Sequence, residues 1–176
     1  MKKCPIVLAA IFSLGLFAAC VRIEPAAKEV KISSKLFGQV KPDKELQEAG
    51  LFYEASADFP PHGRVEVSFL VEHIGQLESL INSAERSFEK IKRNEYEILA
   101  AAAPRIEAFY EKYFERKSIV SRKELVTGLH LTSINFHSDG AVSLWYSSQG
   151  LESFNGKDVK IELHSDLRVK GVRFDG

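Results

Sequence analysis

The chain has 176 residues, enough for one domain preceded by a targeting segment, and 45% of them are hydrophobic, which supplies an ordinary core and excludes a disordered chain. Lys plus Arg equals Asp plus Glu at 24 each, so the charge gives no reason to expect a nucleic acid as partner. The two cysteines, Cys4 and Cys20, both fall in the first twenty residues, and the rest of the chain has no thiol for a disulfide scaffold, a cysteine-ligated metal or a cysteine nucleophile.

Met1-Lys2-Lys3 is a short positive start, and Pro5 to Ala19 is almost wholly apolar. This is the pattern of a secretory signal, too short to span a bilayer comfortably as a permanent helix. Its removal takes Lys2 and Lys3 away and leaves 22 basic against 24 acidic residues, a formal charge of −2. The segment ends in Leu16-Phe17-Ala18-Ala19-Cys20, which resembles the lipobox of bacterial lipoproteins, with Phe17 where an aliphatic residue is usual. The resemblance implies a lipoprotein signal peptide over 1–19. It also implies a diacylglycerol thioether on Cys20, which then becomes the mature N-terminus, with small Ala18 and Ala19 to let a peptidase close around the backbone. Each buried CH₂ contributes about 0.8 kcal/mol, so two or more acyl chains such as palmitate make a durable anchor. The expected place is the bacterial cell envelope. Val21 stands after the cysteine where an Asp would retain the protein elsewhere, so in a Gram-negative host the resemblance implies the outer membrane, facing the periplasm. Ordinary secretion with Cys20 incidental is the competing reading. A signal ending in small-small-Cys is much rarer by chance than a signal alone, which favours lipidation.

Residues 20–35 show no clean period and read as a lipidated tether, leaving 36–176 as a single domain. Asp43–Ala49 has the make-up of a short helix that Asp43 could cap. Leu51–Ala55 reads as a short strand, and Asp58 to Gly63 as a loop punctuated by Pro60, Pro61 and Gly63. Arg64–Glu72 alternates strictly, with Val65, Val67, Phe69 and Val71 inward, and is the clearest strand of the chain.

Apolar residues then recur at helical steps: Ile74, Leu77, Ile81, Ala84, Phe88 and Ile91. A second helical run covers Glu95–Phe114, with Pro104 inside it predicting a kink or break there. Ser121 and Glu124 form a capping box opening a third, short helix that stops at Gly128.

The last third alternates at period two. Leu129–His137, Ala141–Ser147, Asp158–His164 and Leu167–Phe174 read as strands, with Val142, Leu144 and Tyr146 on one face and Ser143, Trp145 and Ser147 on the other. Asp139-Gly140 marks the first hairpin turn. In the last strand the apolar parity switches between Val169 and Val172, which predicts a bulge at Lys170-Gly171. The expected fold is α+β: an antiparallel sheet of about six strands with two or three helices on one face, in the order strand-strand-helix-helix-strand-strand-strand-strand.

From the Leu51 strand through Phe174 the pattern resembles an uncharacterised bacterial family, the domain of unknown function 2262. The residues that carry the resemblance are the long helical middle, Leu131-Thr-Ser-Ile-Asn-Phe136, Asp139-Gly-Ala-Val-Ser-Leu-Trp-Tyr146 and Phe154-Asn-Gly-Lys-Asp-Val159. Similar members carry Gly-His where this chain has Gly156-Lys157. The resemblance implies no known activity.

No motif for a metalloprotease, a serine hydrolase, a phosphate loop or a dinucleotide site occurs in the sequence. His-Ser-Asp occurs twice, at 137–139 and 164–166, but adjacent turn residues point apart, and Ser and Asp in turns bond nearby backbone. His130, His137 and His164 lie on neighbouring strands without diagnostic metal spacing. No catalytic residue, metal or cofactor is therefore expected. Trp145 is the distinctive side chain, an aromatic on the polar face, framed by Lys160, Glu162, His164 and Arg168. Rigid aromatics among polar residues often anchor interfaces. The plainer alternative is that the N-terminal segment or Phe154 simply covers it. The sequence thus suggests a non-catalytic domain that binds a protein partner, toxin immunity being one form. A pocket between helices and sheet for a small molecule or envelope component is the alternative.

Overall fold

The computed structural model describes residues 32–43, 51–114, 121–151, 154 and 156–175. The signal peptide, Cys20 and the proposed helix at 43–49 lie outside this set, apart from Asp43 itself. The described residues form β1 (Ile32–Ser34), β2 (Gly38–Pro42), β3 (Leu51–Phe59), β4 (Gly63–Val71), α1 (Leu77–Phe114), α2 (Arg122–Gly128), β5 (His130–His137), β6 (Val142–Ser147), β7 (Asp158–Leu163) and β8 (Val169–Asp175). The eight strands make one open sheet in chain order. Every neighbouring pair is antiparallel except β4 and β5, which run parallel. That pair needs a crossover, and α1 and α2 provide it.

The α+β class is as expected, with more strands and a longer helix. The two additional strands are β1 and β2. The last residues of the segment read as tether, Ile32–Ser34, pair with Gly38–Val40. A polar side chain explains why this stretch escaped notice. Ser34 is buried, its hydroxyl donates to Glu85 Oε1 of α1 at 2.6 Å, and it accepts from the Phe37 N–H at 2.9 Å. Phe37 then enters the core beside Phe69 and Phe88, at ring separations of 5.4 and 5.5 Å.

Both sides of the crossover follow from pattern. Val65, Val67, Phe69 and Val71 are all buried, as strict alternation requires. Leu77, Ile81, Ala84, Phe88 and Ile91 form the buried stripe of α1. Ile74 does not belong to it; it opens a 3-10 turn at Ile74–Gln76 and is 41% exposed. The expected break at Pro104 moves as well. The backbone stays helical there, and the only non-helical residue inside α1 is Asn94, at φ −117° and ψ 18°. Pro104 sits on the exposed side, where the carbonyl freed one turn earlier can turn to water. Asn94 instead bonds its own helix, Nδ2 donating to the Lys90 carbonyl at 2.7 Å.

The short helix is capped as read: Ser121 Oγ accepts from Glu124 N at 3.2 Å, and Glu124 Oε2 accepts from Ser121 N at 2.8 Å. The bulge in β8 is also present. Glu162 pairs with Gly171 and Leu163 with Val169, leaving Lys170 unpaired. A second irregularity, at Thr132 in β5, left no trace in the apolar pattern.

Between α1 and the sheet the space is filled. Tyr53, Phe59, Phe69, Phe88, Tyr110, Tyr146 and Phe154 are each at most 1% exposed. Phe154, from the loop after β6, packs on Tyr110 and Phe174 at 5.1 and 5.2 Å and closes the far end of the core.

Candidate functional site: the outer sheet face

Alternation sends Val142, Leu144 and Tyr146 under α1 and leaves Ser143 and Trp145 on the opposite face. Register then assembles that face. Trp145 lies beside Ser133 on β5 and Lys160 on β7; Lys160 lies beside Arg173 on β8. Lys160 Nζ sits 5.2 Å from the Trp145 ring centroid, within cation–π range. It also reaches Glu162 Oε1 at 3.3 Å, and Arg173 reaches the same oxygen at 3.2 Å. Partial burial pushes the Glu162 carboxyl up, but Lys160, Arg173 and Lys170 outweigh it and hold the group below its ordinary value. Glu162 is therefore ionised at neutral pH and sits between two cations.

Beside this cluster, His137 Nε2 lies 3.3 Å from Ser143 Oγ, and Ser143 is buried beneath it. Burial lowers the His137 pKa, and Lys160 and Lys170 reinforce the shift against Asp139 and Glu162. The neutral imidazole is the favoured form.

Of the five residues read as a binding set, Trp145, Lys160 and Glu162 come together. His164 and Arg168 do not join them. Both belong to the turn between β7 and β8, exposed, with Arg168 Nε bonded to Asp166 Oδ2 at 2.5 Å. Arg168 lines a different feature, a groove of about 540 Å³ between that turn and α1, floored by Ile98, Leu167 and Val169. Arg173 completes the cluster instead. The bulge at Lys170 slides β8 by one residue and sets Arg173 opposite Lys160, so this neighbour follows only once the bulge is placed.

Both His-Ser-Asp copies are turn devices. Asp139 Oδ1 accepts from Ala141 N at 2.9 Å, and Asp166 Oδ1 from Arg168 N at 3.2 Å. His130 and His137 mark opposite ends of β5, about 23 Å apart at 3.3 Å per residue, and cannot share a metal ion. Among the described residues no three His, Cys, Asp or Glu side chains converge as a metal-ligand set.

Sequence reading did miss one convergence. His62, from the turn after β3, places Nε2 2.7 Å from Glu95 Oε1 of α1, and Nδ1 3.3 Å from His130 Nδ1. The Tyr146 hydroxyl donates to the same Glu95 oxygen at 3.2 Å. Burial first, and Glu95 second, raise the Tyr146 pKa well above its usual value, so it stays a donor. Two histidines and a carboxylate are the raw material of acid–base chemistry. Here the tyrosine is buried, 12% of the Glu95 side chain is exposed, and the carboxylate oxygen is already held by His62 and the tyrosine hydroxyl. No helix among the described residues is long and apolar enough to cross a membrane. No family model, curated protein or solved structure matches the chain.

Proposed function

We propose that the chain is a membrane-anchored bacterial lipoprotein, held by lipid on Cys20 to the cell envelope. In a Gram-negative host the membrane is the outer one and the domain faces the periplasm. The domain binds a protein partner through the sheet face opposite α1 and performs no reaction itself. One observation carries the binding half. Trp145, the single tryptophan, is partly exposed on the face away from α1, with Lys160 over its ring and the linked charges of Glu162 and Arg173 next to Lys160 on one side. An aromatic anchor rimmed by polar groups is the usual composition of a contact hot spot. Toxin immunity is the specific form: a small anchored domain that meets an incoming toxin at the membrane and blocks it by contact alone.

The pocket reading has less support, because aromatic side chains fill the space under α1 and the groove between α1 and the β7–β8 turn is an open one at the margin of the sheet.

The test has two arms. Cys20→Ser should release the protein from membranes without unfolding it. Trp145→Ala should abolish capture of a toxin encoded beside the gene and leave the cell sensitive to it. Deletion that changes sensitivity to no such toxin counts against the immunity form. Release that occurs without the Cys20 change counts against the anchor.

A further inference from the structure

We infer that His62 and His130 form a binding site for a late divalent transition-metal ion at the end of the sheet. The distance is the first argument. Two nitrogens on one tetrahedral ion, bound at about 2.0–2.1 Å, stand about 3.3–3.4 Å apart. His62 Nδ1 and His130 Nδ1 face each other at 3.3 Å.

The second argument is the tautomer. The Leu131 N–H donates to His62 Nδ1 at 3.2 Å, so that nitrogen carries a lone pair and no proton. The proton of neutral His62 is therefore on Nε2, where it meets Glu95 Oε1 at 2.7 Å. A carboxylate on the far nitrogen is the arrangement that fixes a metal-bound histidine and raises its basicity. The Tyr146 hydroxyl holds the carboxylate from the other side. Glu95 thus orients His62 and is a positioning residue, not a ligand.

The third argument is access. His62 is nearly buried, with 9% of its side chain exposed, whereas His130 is exposed, so an ion reaches the pair from solvent on the His130 side. Without metal, His130 Nδ1 carries the proton shared with His62 Nδ1. With metal, the ion takes that place and the His130 proton moves to Nε2, so no proton is lost or gained. The ion also takes the lone pair that Leu131 N–H uses, so the site is weaker than an open one. Two imidazoles leave the other positions to water. Such a set holds Cu(II) more tightly than Ni(II) or Zn(II).

The experiment is calorimetric titration of the mature protein, made without a polyhistidine tag, with Cu(II) and with Zn(II). One ion per chain is expected, and imidazole ¹⁵N spectra should show both Nδ1 atoms coordinated. His130→Ala, at an exposed position, should fold and lose that equivalent, and His164→Ala should keep it. Glu95→Gln should weaken binding by about tenfold. Equal binding by the parent and His130→Ala, or no binding by the parent, would overturn the assignment and leave a hydrogen-bonded histidine pair.

Discussion

Glu95 Oε1 accepts a hydrogen bond from His62 Nε2 at 2.7 Å, joining the middle of α1 to the turn after β3. The residue just before it, Asn94, is the one place where α1 leaves helical geometry. The departure and the contact are adjacent, so the long helix changes course where it grips the sheet. His62 passes the tie on to the Leu131 N–H, which lies beyond the start of the β4–β5 pairing. An imidazole thus stands in for the missing backbone acceptor.

That tie has a measurable stability. Glu95→Ala strands the Tyr146 hydroxyl and the His62 N–H, both nearly buried, and should cost about 2–4 kcal/mol in urea unfolding. Glu95→Gln keeps an acceptor and should cost less than half of that. Equal losses in the two variants would show that charge, not hydrogen bonding, holds the contact.

His137 makes stability depend on pH. Its folded pKa is lowered by burial from 6.5, so between that value and the lower folded one the unfolded chain binds more protons. The contribution is complete above about pH 6.5 and is lost as pH falls below it. Unfolding free energy measured from pH 7.5 to 5 should decline, and His137→Asn should flatten the decline. An unchanged slope in that variant would contradict the burial argument.

Much of this fold was legible in the chain. Strict alternation marks β4, β6 and β7, three-four spacing marks α1, and the parity switch near Gly171 betrays the bulge. What stayed hidden lacks a local signature. β1 is three residues long and is held by Ser34 and Glu85, a pair 51 residues apart. The outer face was half legible: Trp145, Lys160 and Glu162 follow from parity, but Arg173 depends on register across a bulge. The His62–His130 contact spans 68 residues and joins a turn to a strand end, where neither period applies. Asn94, not Pro104, is where α1 leaves helical geometry, and neither apolar spacing nor a breaker residue marks that position in the sequence.

The Ser34–Glu85 bond gives its own prediction. The Ser34 hydroxyl is the main cause that lowers the Glu85 pKa. Glu85→Gln or Ser34→Ala should speed amide exchange at Leu36 and Phe37, while global stability falls by only about 1 kcal/mol. Unchanged exchange at those amides would mean that Phe37 packing alone retains β1.

Tyr53 runs the other way. It is 1% exposed, and its hydroxyl is a buried polar atom with no hydrogen-bond partner among the described residues. Burial raises its pKa, as expected for an uncompensated phenol. Tyr53→Phe should be neutral or stabilising by about 1 kcal/mol in thermal unfolding. A clear loss would reveal a partner for the hydroxyl.

The central claim is that the face bearing Trp145 meets another protein. A photo-activated crosslinking residue placed at Lys160, and separately at Tyr96 on the exposed side of α1, tests it in living cells. The account predicts a discrete protein adduct from position 160 that disappears with Trp145→Ala, and none from position 96. Adducts from position 96 alone, or an adduct at 160 indifferent to Trp145, would contradict it.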